Sequence, residues 1–223
     1  RTKNARRISG VIAQNYAISQ RQDQDATERC AVGLALGTIS LALVHENIGW
    51  VQKFNVLGDN LQVASVDETK VSELTDIEKN DFNYHGLLFL RQHVGIAGLY
   101  WNDSPTFTDA TDDFAYIENN RVIDKATRLI RTALLPSLNS PVYVNPNTGE
   151  LAPNVVARLE NTGNKAITDQ MLVQGEVSSF KFTIDPHQDI LATSKLVATL
   201  TILPVGTARK ITVNIGFTNP FDN

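Results

Sequence analysis

The sequence predicts an α+β protein, with a mixed sheet flanked by helices. Three observations carry this. Ala115–Pro136 holds the strongest helical period in the chain, with Val122, Ala126, Leu129, Ile130, Ala133 and Leu134 on one face. Two short apolar runs, Gly86–Arg91 and Gly95–Trp101, read as buried strands. Three further strand-like runs, Glu176–Ile184, Leu196–Leu203 and Ile211–Phe217, follow one another at the C-terminal end. Helices and strands interspersed and then a closing run of strands is the order of an α+β or mixed α/β chain.

In chain order, Ile8, Val11, Ile12, Tyr16 and Ile18 have helical spacing, and the polar stretch Ser19–Arg29 reads as a surface loop. Cys30–Glu46 predicts a closely packed helix rich in Ala, Gly and Leu, with Asn47-Ile48-Gly49 as its stop. Val51–Val66 reads as irregular or strand-like, turning at Gly58-Asp59-Asn60. Thr69–Asn80 has mixed, polar helical character, and Asn102–Asp113 is an acidic, turn-rich connection. Leu151–Leu172 predicts a second long helix, with Pro153 near its first turn and Gly163 ending or bending it. The last run alternates cleanly: Ile211, Val213, Ile215 and Phe217 point one way, Thr212, Asn214 and Gly216 the other.

Composition narrows the function classes. Of 223 residues 42% are apolar and 20% charged, the balance of a globular chain and not of a disordered one. A net charge of -4 argues against a nucleic-acid binder. The only local basic cluster, Arg1, Lys3, Arg6 and Arg7, reads as a solvated arm or as a contact for an acidic protein face. A single cysteine, Cys30, excludes a disulfide within the sequence, and no apolar run reaches the length of about 18 residues that spans a bilayer. The chain opens at Arg1 and its single methionine is Met171, so a fragment or processed product is expected.

Chemistry-bearing motifs are sparse. No nucleophile elbow, phosphate loop, zincin helix, paired-cysteine motif or dinucleotide fingerprint is present. Asp185, His187 and Asp189 form the most ligand-like group, since alternate spacing in an extended segment would put them on one side. A polar turn opened by Asp185-Pro186 accounts for the same residues. Asp109, Asp112 and Asp113 lack the glycine and distal glutamate of a calcium loop. His85 and His93 have no neighbouring nucleophile, and Cys30 reads as a buried thiol. Trp50 and Trp101 read as packing residues, and Asn102-Asp103-Ser104 is an isolated sequon. No cofactor or metal is expected, and an enzyme built on Asp185–Asp189 with His93 or His45 is the weaker alternative.

The C-terminal half has a recognisable order. A strand at Gly98–Trp101 precedes a long helix opened by Asn119-Asn120-Arg121. A loop with Asn145-Pro146-Asn147 follows, then a second helix, a strand pair turning at Ile202-Leu203-Pro204-Val205, and a final strand. From about Gly95 to Phe217 this resembles the C-terminal domain of contractile-tail sheath proteins, found in phage tails, extracellular contractile injection systems and type VI secretion. The resemblance implies residues 1–93 as a partial sheath core segment whose N-terminal part is absent, and 94–223 as the sheath C-terminal domain. It implies a structural, non-enzymatic subunit that polymerises around an inner tube and contracts to drive it through a membrane. The alternative is a non-contractile tail or baseplate assembly protein of the same fold.

The implied partners are other copies of the chain, the inner tube protein, and baseplate and terminator proteins, with no nucleic acid and no direct membrane insertion. The implied location is the bacterial cytoplasm during assembly, then a phage virion tail or injection particle. In that family terminal extensions complete the sheets of neighbouring subunits by strand addition. This makes Arg209, Lys210, Ile211, Thr212, Val213, Asn214, Ile215, Gly216 and Phe217 the expected inter-subunit strand, with Arg209 and Lys210 as possible edge gatekeepers. Arg121, Lys125 and Arg128 are candidates for contact with the tube or a neighbour.

Overall fold

The structure, a computed structural model, describes residues 5–20 and 30–216. In chain order its elements are β1 (Gly10–Val11), β2 (Gln14–Asn15), α1 (Tyr16–Ser19), α2 (Val32–Leu41), β3 (Ala64–Val66), β4 (Thr69–Lys70), α3 (Asp76–Tyr84), β5 (Leu87–Leu88), β6 (Leu90–His93), β7 (Ile96–Trp101), α4 (Ile117–Leu134), α5 (Pro153–Ile167), β8 (Val177–Ile184), α6 (Ile190–Thr193) and β9 (Ala198–Pro204). The fold is mixed, with helices against sheets as expected. Among the described residues the strands are divided over four small sheets, and only the β1–β5 pair is parallel.

The first core gathers Ala13, Phe54, Leu88, Phe89, Leu90, Leu99 and Trp101 with the inner face of α2. Trp101 is fully buried, and its indole N–H donates to the Thr38 hydroxyl at 3.2 Å, so the polar edge of the ring is satisfied inside the core. Beyond Trp101 a second body of packing begins. Val122 and Ala126 of α4 meet Ile167, Met171 and Val177, while Leu151, Val155 and Leu159 meet Phe182 and Ile184.

Four elements differ from the sequence expectation. The helical spacing near residues 8–18 belongs to two short strands and a single turn of helix. Gly10–Val11 pairs with Leu87–Leu88, and Gln14–Asn15 pairs with Ala64–Ser65. Long-range pairing wins there because two brief strands reproduce a spacing of three and four residues by coincidence.

The helix expected to run to Glu46 stops at Leu41. The freed carbonyls of Ala42 and Leu43 accept the Arg121 guanidinium at 2.9 and 3.1 Å, and the Leu43 N–H donates to the Glu46 carboxylate at 2.7 Å. Side chains complete the helix end in place of another turn.

Gly163 does not end α5, which continues to Ile167. A β-carbon there would stand 2.3 Å from the Phe182 ring, so the glycine lets helix and strand approach closely. The helix then runs on into a single π turn, Thr168–Leu172.

α3 begins after Thr75 and not at Thr69. Thr69–Lys70 is held in a hairpin with β3, and Thr75 with Glu78 closes a reciprocal capping box.

Candidate functional site

β8 and β9 form an antiparallel hairpin paired from Val177–Pro204 to Ile184–Ala198. β8 is covered by α5, where the Phe182 ring fills the space left by Gly163. β9 is covered less fully by α4. A groove of about 380 Å³ runs between them, lined by Val122, Ile123, Ala126, Leu200 and Ile202 among others. Among the described residues β9 pairs only with β8, so its second edge is open beside an apolar groove. An open edge presents unpaired N–H and C=O groups in register for another strand.

After Pro204 the chain continues as an arm. Residues 205–216 form no strand, and Ile211, Val213 and Ile215 are 81%, 71% and 87% exposed. The expected last strand therefore has its alternating pattern but no partner among the described residues, and Phe217 lies outside them.

Within the arm, Arg209 makes the side-chain contacts to the body. Its guanidinium donates to the Asp103 carboxylate at 3.0 and 3.2 Å and to Glu118, and it lies 3.4 Å from the centroid of the Tyr116 ring. In the single chain Arg209 is thus tied to the head of α4 and stands in no strand. Glu118 is buried and also accepts from the Ser104 hydroxyl and the Asn47 amide. Burial pushes its carboxyl above the ordinary range, opposed by the Ser104 hydrogen bond and the Arg209 charge. The first-turn acid of a predicted helix is the one sequence sign of this cluster. Its partners, Asn47, Asp103 and Arg209, lie too far away in sequence to be paired by reading.

The other basic candidates have separate fates. Arg121 is tied to the α2 end, as described. Lys125 holds the buried Glu176 at 2.5 and 2.7 Å, while Arg128 is exposed. Arg6 and Arg7 of the N-terminal cluster meet acidic side chains of this same chain. Arg6 reaches Asp112 at 2.9 Å, and Arg7 grips Asp124 with both terminal nitrogens at 2.6 and 2.7 Å. Arg1 and Lys3 lie outside the described residues.

The ligand-like residues do not converge. Asp185 accepts from the His187 backbone N–H at 2.9 Å, Asp189 caps α6 by accepting from Ala192 at 3.0 Å, and His187 pairs with Glu150. Asp112 is taken by Arg6 and by the Phe114 N–H. Among the described residues no three His, Cys, Asp or Glu side chains are grouped to hold a metal ion. His93 lies tilted against the Tyr100 ring, and burial lowers its pKa. His45 and Cys30 are part-buried, and His85 is exposed beside Asp81. The Asn102 amide is used at both ends, donating to Asn83 and Leu87 and accepting from Phe89. Trp50 is half-exposed with Lys53 over its ring.

The candidate site is thus a helix-backed hairpin with an open edge, an apolar groove and a free alternating arm. The fold of the chain is that of contractile-injection sheath structures. A chain in the 6-fold symmetrised baseplate of the anti-feeding prophage matches 84% of this chain and 49% of its own, at TM-score 0.58 and 18% identity. The helical sheath of the same particle in its contracted state matches 83% and 48%, at 0.57 and 20%. The contracted sheath complex of an extracellular contractile injection system, PVC, matches 67% and 41%, at 0.51 and 16%. The chain spans about half the length of these structures.

The chain belongs to the DUF2586 family. The N-terminal domain of that family matches residues 1–105 and the C-terminal domain residues 113–222. No curated protein matches the sequence.

Proposed function

We propose that this chain is part of a sheath subunit that polymerises around an inner tube and contracts to drive it through a membrane. The observation that carries the reading is the pairing of an exposed, alternating arm with an open, apolar-backed sheet edge in one chain. Six described arm residues, 211–216, extend about 20 Å as a strand, which suits the seven residues of β9. Ile211, Val213 and Ile215 would enter the groove of a neighbour, and the backbone would pair with its β9. Strand exchange of this kind keeps subunits connected while each moves as a rigid body, the motion that a contracting lattice needs. The partners are then other copies, the inner tube, and baseplate and terminator proteins. The site of action is a phage tail or an injection particle assembled in the bacterial cytoplasm. No catalytic step is assigned.

The likeness to a chain of a baseplate particle favours a second reading, a non-contractile baseplate protein of the same fold. Electron microscopy and ultracentrifugation of the purified chain with its native tube protein separate the two. A sheath subunit gives tubes of repeating discs, and deletion of Thr212–Asn223 abolishes them. Discrete rings that never lengthen would favour the baseplate reading. Tubes of normal length from the truncated chain would defeat strand exchange.

A further inference from the structure

Arm and acceptor edge are joined by only six residues, 205–210. A short flexible connection gives an effective concentration of millimolar order. At micromolar subunit concentration, folding back onto its own β9 would therefore outcompete a neighbour about a thousandfold. Yet the arm of the single chain is unpaired and its apolar side chains are exposed.

The position of Arg209 accounts for this. It is bound to Glu118 and Asp103 and lies against Tyr116. The groove is lined from α4 by Asn119, Val122, Ile123, Ala126 and Thr127. At about 100° per residue, Glu118 lies roughly 110° around the helix from the centre of that lining. The arm is thus drawn across the head of α4, away from the groove, before its alternating stretch begins.

We propose that the Arg209–Asp103–Glu118 clamp holds the C-terminal arm off its own β9 groove, so that arm and groove both stay available to neighbouring copies. This rests on the strand-exchange reading above and adds a positioning residue to it. The clamp suits a permanent anchor. Its carboxylates sit on the ordered body, Glu118 is fixed from behind by Ser104 and Asn47, and the planar guanidinium is matched by two acids and an aromatic face.

The test is amide hydrogen exchange on the monomer at low micromolar concentration, with assembly measured in parallel. Arg209→Gln releases the arm. The double variant Arg209→Gln with Glu118→Gln releases it without leaving a buried carboxylate unpaired, and carries the test if the single variant disturbs α4. In the wild type, amides 211–216 exchange as free chain. In the released variants their protection rises at least tenfold, together with that of β9, and the concentration at which polymers appear rises by a similar factor. Unchanged exchange at 211–216 in the double variant overturns the clamp. Deletion of residues 211–223 separates the two ideas. If it leaves assembly intact, strand exchange fails, while the exchange data still decide whether Arg209 holds the arm off β9.

Discussion

Val213→Thr tests the arm with little change of shape. Val213 stands at the centre of the alternating triplet and is 71% exposed in the single chain. Nearly all of its burial on strand addition would therefore come from the neighbour. Fully burying a valine contributes about 1.5–3 kcal/mol, so the triplet supplies several kcal/mol at each joint. Replacing one methyl by a hydroxyl forfeits about 0.8 kcal/mol of that burial and adds the cost of an unpaired buried hydroxyl, about 1–3 kcal/mol. The expected loss is about 2–4 kcal/mol per joint, or roughly 30- to 800-fold in the concentration at which polymers appear. The same change leaves the folded monomer within about 0.5 kcal/mol of wild type, because the side chain touches little there. Light scattering against subunit concentration reads the first quantity and urea unfolding of the monomer reads the second. The reasoning is refuted if polymer onset does not move, or if the monomer loses as much stability as the joint.

Three more outcomes concern the body. Gly163→Ala sets a helix-propensity gain of about 1 kcal/mol against overlap with a buried ring at 2.3–2.9 Å, and overpacking of about 1–3 kcal/mol wins. Unfolding midpoints should fall, and in a Phe182→Leu background the same substitution should turn stabilising. Leu129→Ala should cost about 1–2.5 kcal/mol, less than the 2–5 kcal/mol of a fully buried leucine, because Leu129 is only part-buried against the β8–β9 core; calorimetry checks this. The Arg7 hydrogen bond holds the Asp124 carboxyl below its ordinary value, so its contribution is present above the unfolded value near 3.8 and lost as pH falls through the lower folded one. Asp124→Asn should therefore lower stability at neutral pH by at most about 1 kcal/mol, since the pair is exposed, and the two proteins should converge at strongly acid pH.

What was legible in the sequence followed the strength of local periodicity. α4 and α5 were readable because an amphipathic stripe sustained over several turns has one explanation. The β8–β9 hairpin was readable because both runs alternate and are β-branched or aromatic. Apart from the body of α2, the region before residue 70 was not. Its strands are two or three residues long, too brief to establish a period of two, and they exist because distant segments pair with them. The end of α2 was unreadable for a related reason. The residue that satisfies its last carbonyls is Arg121, far along the chain. Gly163 as a helix end failed because glycine serves two purposes in a helix. Only the Phe182 ring, on another element, shows that close approach is the one used here.

The candidate site divides along the same line. Alternation from Ile211 onward identifies a strand-forming segment, but alternation names no partner, and a pattern of period two is equally suited to its own sheet or to a neighbour's. Three structural facts support the proposed pairing with a neighbour: the exposure of the triplet, the open edge of β9, and the capture of Arg209 by acids at the head of α4. Any one alone is ordinary. An exposed arm without a groove is a tail, and an open edge without an arm is an aggregation risk that proteins usually blunt. A clamp without either is a surface ion pair of small consequence. Together they support the proposal that the free segment and the free edge serve neighbouring copies and are held apart in the single chain. In the strand-exchange reading proposed above, the Arg209 anchor stays in place while a second copy supplies the missing strand to β9.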